Sequence, residues 1–153
     1  MNFLYIALTI TILTSGCATK NAFTKLGISP EQELAIENTR AGKIRKDLHV
    51  EGVYSAINLN AVYPDMSKEK VNFYISIYIK DKQDELHVTL NGEEPLSITS
   101  LERDNRFSHL QGIENNWIDN YLLSFDNNES AGLNLLIESG QFSSGLLNFP
   151  KEK

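Results

Sequence analysis

Three histidines, one cysteine and twenty Asp and Glu residues are the side chains of this 153-residue chain best suited to chemistry. His49, His87 and His109 fall in separate segments, and no spacing brings two imidazoles to one metal ion. His49 and His87 alternate with apolar neighbours and are expected to face solvent. The carboxylate pairs Asp84-Glu85 and Glu93-Glu94 sit at strand ends, where adjacent side chains diverge, which does not suit paired acid and base work. Asp126-Asn127-Asn128-Glu129 is rich in oxygen ligands and fits either a calcium-holding loop or a polar hairpin tip, the tip being the default. The chain contains no Gly-x-Ser-x-Gly elbow, Walker loop, His-Glu-x-x-His or EF-hand loop. No catalytic residue, metal site or cofactor is therefore expected, and the chain is not expected to be an enzyme. The single thiol, Cys17, cannot form an internal disulfide.

Cys17 has a different context. Residues 3–13, Phe-Leu-Tyr-Ile-Ala-Leu-Thr-Ile-Thr-Ile-Leu, form an apolar run of eleven. As a helix it would be about 16 Å long, roughly half the hydrocarbon core of a bilayer, which suits a signal-peptide core rather than a transmembrane span. Leu13-Thr14-Ser15-Gly16-Cys17 then resembles the lipobox of bacterial lipoproteins. The resemblance covers about 20 residues. It departs from the usual pattern in having Thr14 three places before the cysteine and no Lys or Arg in Met1-Asn2. It implies that residues 1–16 are a cleaved signal peptide, that Cys17 is lipidated, and that two or three acyl chains hold the mature chain stably to a membrane. Ala18, rather than Asp, after the cysteine implies the outer membrane.

The elements that would position any site begin behind this anchor. Residues 17–46 read as a lipidated N-terminus and tether. Within it Ser29-Pro30-Glu31-Gln32 gives an N-cap, a proline at the first helical position and a capping box. A helix is expected over about 30–41, with Arg40 in its last turn and Gly42 as its stop. From residue 47 the period changes to two. Val71, Phe73, Ile75, Ile77 and Ile79 share one face of a strand, while Tyr74, Ser76 and Tyr78 lie on the other. Leu86, Val88 and Leu90 repeat the alternation before the tight-turn signal Asn91-Gly92. Further strands are expected around Leu96 and Ile98, Tyr121 to Phe125, Leu133 to Ile137, and 142–149. In 48–63 the apolar parity slips at Gly52, as a bulge or strand break would make it do. About seven short strands imply an all-β fold, an antiparallel two-sheet sandwich of immunoglobulin-like or transthyretin-like type spanning 47–153, with a small closed barrel as the alternative.

The long connection 102–116 is the expected place for a site, or else a plain crossover between sheets. Arg103, Arg106, Phe107 and His109 within it, with Tyr74 and Tyr78 on the polar strand face, are the candidate partner-binding residues, packing beneath another element being the default for the two tyrosines. Trp117 is expected in the core. Residues 18–46 carry six Lys/Arg against three Glu, net +3, and 47–153 carry eight against seventeen Asp/Glu, net −9. A basic stretch near anionic headgroups and an acidic domain beyond it suit an envelope protein whose partners are the membrane, through the lipid, and another protein. Nucleic acid is not expected, because its binding needs a basic footprint. The sequence therefore points to a lipid-anchored, noncatalytic interaction or structural module. A surface adhesin or exclusion factor is the alternative.

Overall fold

The computed structural model describes residues 26–80, 86–111, 115–127, 132–140, 142–143 and 146–150. The candidate signal peptide, Cys17, residues 18–25, Asp84-Glu85 and Asn128-Glu129 lie outside the described residues. In chain order the elements are helix α1 (Pro30–Glu37), strands β1 (Thr39–Lys46) and β2 (His49–Asn58), and the one-turn helix α2 (Leu59–Val62). Then come β3 (Lys70–Ile79), β4 (Leu86–Leu90), β5 (Ser97–Leu101), a 3₁₀ turn (Ser108–Leu110), β6 (Asp119–Asp126), β7 (Gly132–Ser139), β8 (Phe142–Ser143) and β9 (Leu147–Pro150). Among the described residues no helix is long and apolar enough to cross a membrane.

The strands form a two-sheet β-sandwich. One sheet has five antiparallel strands in the order β1-β2-β3-β6-β5, and the other pairs β4 and β9 with β7. The two-residue β8 bonds to both β1 and β7 and joins the sheets at one corner. The far ends of the path, β4 and β5, do not pair with each other, so the sandwich is not a closed barrel. The alternation in β3 places Val71, Phe73, Ile75 and Ile77 on the inner face. They meet Leu133, Leu135 and Ile137 of β7, Val88 and Leu90 of β4, and Leu147 and Phe149 of β9. Phe73 packs edge-on to Phe125 and tilted against Phe149, the offset geometries that aromatic quadrupoles favour.

The domain starts earlier than residue 47. The expected tether contains β1, which pairs with β2 along its whole length and places Ile44 in the core. The helix is also shorter than expected, ending at Glu37 rather than near residue 41. Three polar side chains take its last carbonyls: the Asn38 amide donates to Leu34, the Thr39 hydroxyl to Ala35 and the Arg40 guanidinium to Glu37. The Leu34 carbonyl also accepts the Asn38 backbone N–H, whereas those of Ala35 and Glu37 are among the groups a helix end leaves to partners from outside. Gly42 is not a helix stop. It sits in β1 opposite Tyr54, whose ring covers it so closely that a Cβ would collide. At the other end the capping box forms as read, with Ser29 Oγ accepting from Gln32 N and Gln32 Oε1 accepting from Ser29 N.

The parity slip at Gly52 is a bulge. Ile44 pairs with Gly52 and Arg45 with Val50, leaving Glu51 as the extra residue. Asn91 and Gly92, both at positive φ, make the expected tight turn and close a bridge between Leu90 and Glu93. The chain then crosses to the other sheet, where β5 pairs with β6.

Candidate functional site

The five-stranded sheet has a second covered face. Tyr74 and Ile57 point away from the sandwich and are buried with Ala35 of α1, Leu59 and Val62 of α2, and Phe107 and Leu110 of the 102–111 segment. The long connection therefore does not cross between sheets. It links the neighbouring strands β5 and β6 and folds back over their outer side.

This placement corrects two of the candidate binding residues. Tyr74 is 1% exposed and Phe107 4%, so neither offers a surface. Their rings pack tilted at 5.7 Å between centroids, and Arg106 lies over the Phe107 ring at 4.5 Å. Arg103, Arg106 and His109 are exposed, and Tyr78 is half-buried. Trp117, expected in the core, is 68% exposed. It precedes β6, in an Asn115 turn whose side-chain oxygen accepts from Trp117 N.

The 102–111 segment is pinned by polar side chains. Asn105 donates to the Glu102 carbonyl and accepts from Phe107 N, and the Gln111 amide donates to Ser55 Oγ across the sheet. The Gln32 amide of α1 donates to the His109 carbonyl at 2.8 Å. Beside it three side chains from distant parts of the chain meet. His109 Nε2 lies 3.2 Å from Glu31 Oε2 and 3.4 Å from Tyr63 Oη, and the Tyr63 hydroxyl donates to Glu31 Oε2 at 3.3 Å. Burial and, after it, the Glu31 charge raise the Tyr63 pKa above its ordinary value, with Arg106 opposing. One imidazole nitrogen serves both neighbours, so no proton path through the ring is set up. The arrangement clamps α1 to the 3₁₀ turn. Residues 31, 63 and 109 share no spacing that could have announced it.

Two depressions flank α1. A cleft of about 500 Å³ opens beside the clamp, lined by Glu31, Tyr63, Asp65, Met66, Arg106 and Phe107. A groove of about 480 Å³ lies on the other side, over the outer face of β1, β2 and β3. Its walls are Ile36, Val53, Tyr78, Leu110 and Ile118, and its floor includes Ser55 and Ser76. The floor is satisfied internally, since the Ser76 hydroxyl donates to Asn120 Oδ1 at 2.6 Å. No charged residue lines this groove. Two of its apolar wall residues, Ile36 and Val53, are open to solvent. An uncharged concave wall with satisfied polar groups can take apolar side chains.

Among the described residues no three His, Cys, Asp or Glu side chains group as metal ligands would. The Asn127 amide donates to the Lys68 carbonyl and is committed to holding the β6 end. No protein-family model, curated protein or solved structure matches the chain.

Proposed function

We propose that this chain is a lipid-anchored cell-envelope protein that presents a noncatalytic interaction module, with the groove beside α1 as its protein-binding surface. The observation that carries the proposal is the groove itself: concave, free of charge, walled by Ile36, Val53, Tyr78, Leu110 and Ile118, and open to solvent. Isolated exposed apolar residues are ordinary on a protein surface, but a contiguous apolar concavity is where partners dock. The anchor rests on Leu13-Thr14-Ser15-Gly16-Cys17 behind the eleven-residue apolar run. The outer membrane is the proposed location, from Ala18. The groove's upper wall belongs to α1, the first described element after the proposed anchor. A partner seated there would be held near the membrane.

Crosslinking in the native envelope tests the groove. The tagged chain should enrich one envelope protein over a Cys17→Ala control. Val53→Glu with Tyr78→Glu should abolish that enrichment while leaving the folded state intact. Equal recovery of the same protein by the groove variants, or no enrichment at all, sinks the reading.

A further inference from the structure

Four of the six cations expected in a tether, Arg40, Lys43, Arg45 and Lys46, are part of a folded hairpin. Lys43, Arg45 and Lys46 stand exposed on β1, and the Asp47-Leu48 turn joins it to β2. Asp47 adopts φ 53 in this turn, and Leu48 at its tip is 90% exposed, the highest value among the exposed large hydrophobics. His49 follows and is also exposed. On the outer side, Lys80 at the end of β3 pairs with Glu51 at 3.6 Å, which takes up one of the two local carboxylates. Asp47 is the other. Among the described residues no ion pair engages Lys43 or Arg45.

This hairpin stands apart from the rest of the domain. Residues 39–51 hold four Lys/Arg against two Asp/Glu, whereas residues 52–153 hold eight against fifteen. A basic hairpin with a leucine at its point is built for a surface that is anionic outside and apolar just beneath. A protein partner needs a wider apolar area than one side chain, and nucleic acid would be repelled by the remaining charge.

We propose that the β1–β2 hairpin is a second membrane contact, with Leu48 entering the headgroup boundary of an anionic lipid surface and Lys43, Arg45 and Lys46 among its headgroups. The proposal deepens the reading that the chain is held at a membrane near its N-terminus. Covalent geometry allows both contacts at once. Twelve residues separate Cys17 from Pro30. Fully extended they reach about 40 Å, against about 26 Å for the length of β1 and about 12 Å for α1. Anchor and hairpin tip can therefore rest on one bilayer surface with the domain lying along it.

The test uses the full chain purified from its native membranes, with Trp117→Phe and Leu48→Trp so that the only indole marks the tip. It is reconstituted into vesicles of phosphatidylcholine alone or with phosphatidylglycerol, with and without brominated acyl chains. On the anionic vesicles the emission should shift to the blue and be quenched by bromine. On neutral vesicles, or at high salt, it should remain that of an indole in water. Lys43→Glu with Arg45→Glu should lower the docking equilibrium constant by about 25-fold or more, taking about fivefold for each cation removed. An indole that stays water-exposed on anionic vesicles to which the chain is bound leaves the hairpin to some other partner and overturns the proposal. Indifference of the quenching to the two charge reversals overturns it as well. Flotation with the vesicles, and an intact mass showing acyl groups on Cys17, report separately on the anchor. Failure there does not imitate failure of the hairpin contact.

Discussion

Asn60 shows how much a single polar side chain supports here. Its Oδ1 accepts from Asn72 N at 2.7 Å, and its Nδ2 donates to the carbonyls of Ser67 and Lys70, both at 2.8 Å. Those bonds shape the 63–69 connection and fix the start of β3. Asn60→Ala removes the partner of one amide and two carbonyls, and should destabilise the domain by about 2–4 kcal/mol in urea unfolding. Ser139 is the opposite case. Its hydroxyl is buried with no partner among the described residues, so Ser139→Ala should change stability by no more than about 1 kcal/mol, in either direction. Tyr63 carries a pH dependence. Its pKa is raised in the fold above the ordinary 10.0, by burial first and then by Glu31. The neutral phenol is therefore the form the fold favours, and its contribution is fully present below the ordinary value and lost as pH rises through the folded one. Unfolding midpoints measured on both sides of that value should fall less steeply for Tyr63→Phe than for the native chain. An unchanged slope would separate Tyr63 from the alkaline loss.

At the scale of elements, the two glycines of the first hairpin set its geometry. A Cβ at Gly52 would stand 2.7 Å from the Tyr78 carbonyl oxygen, a backbone atom that cannot swing aside. Gly52→Ala should therefore destabilise by about 1–3 kcal/mol through overpacking, and it should perturb the bulge at Glu51 in amide chemical shifts. Gly132→Ala, whose Cβ would meet nothing nearer than 4.0 Å, should be close to neutral. The bulge was legible in the sequence because a parity slip has one mechanical meaning in a strand. β3 was legible because its inner face is continuously apolar, from Val71 to Ile77. β1 was not, because Arg40-Ala41-Gly42-Lys43-Ile44-Arg45-Lys46 offers one large apolar side chain and its stability comes from pairing with β2. In β2 both parities carry apolar residues, Tyr54 and Ala56 inward and Ile57 outward, because both faces of that sheet are covered. Periodicity cannot choose a face in such a strand. The same cover explains why Phe107, a surface candidate in the sequence, is core, and why packing is the outcome for Tyr74. Nothing in the cover accounts for Trp117, expected in the core and found exposed. The groove itself draws on residues 36, 53, 78, 110 and 118. Only the tertiary fold brings those numbers together.

At the scale of the molecule, the chain is electrically and chemically polar. An apolar run and Cys17 lie at one end, the cationic β1–β2 hairpin follows, and the net negative charge lies beyond residue 51. Two attachments of different physical kind should respond differently to the same treatments. The proposed acyl chains would hold by hydrophobic burial, which salt does not weaken, so a high-salt wash should leave the native chain on the membrane. The proposed hairpin contact would hold by charge and one leucine, so salt should release it and turn the domain without freeing the protein. Cys17→Ala removes the first attachment and keeps the second. Its mass should lack acyl groups, and a chain that also lacks residues 1–16 should become extractable by salt without detergent, because no apolar run or acyl chain then remains to hold it. Adding Lys43→Glu and Arg45→Glu to Cys17→Ala should lower the salt needed for release, whereas the same two substitutions on the native chain should leave the membrane fraction unchanged. A Cys17→Ala chain that keeps its native mass and still requires detergent would refute the lipid anchor. Equal salt release with and without the charge reversals would remove the hairpin from the membrane.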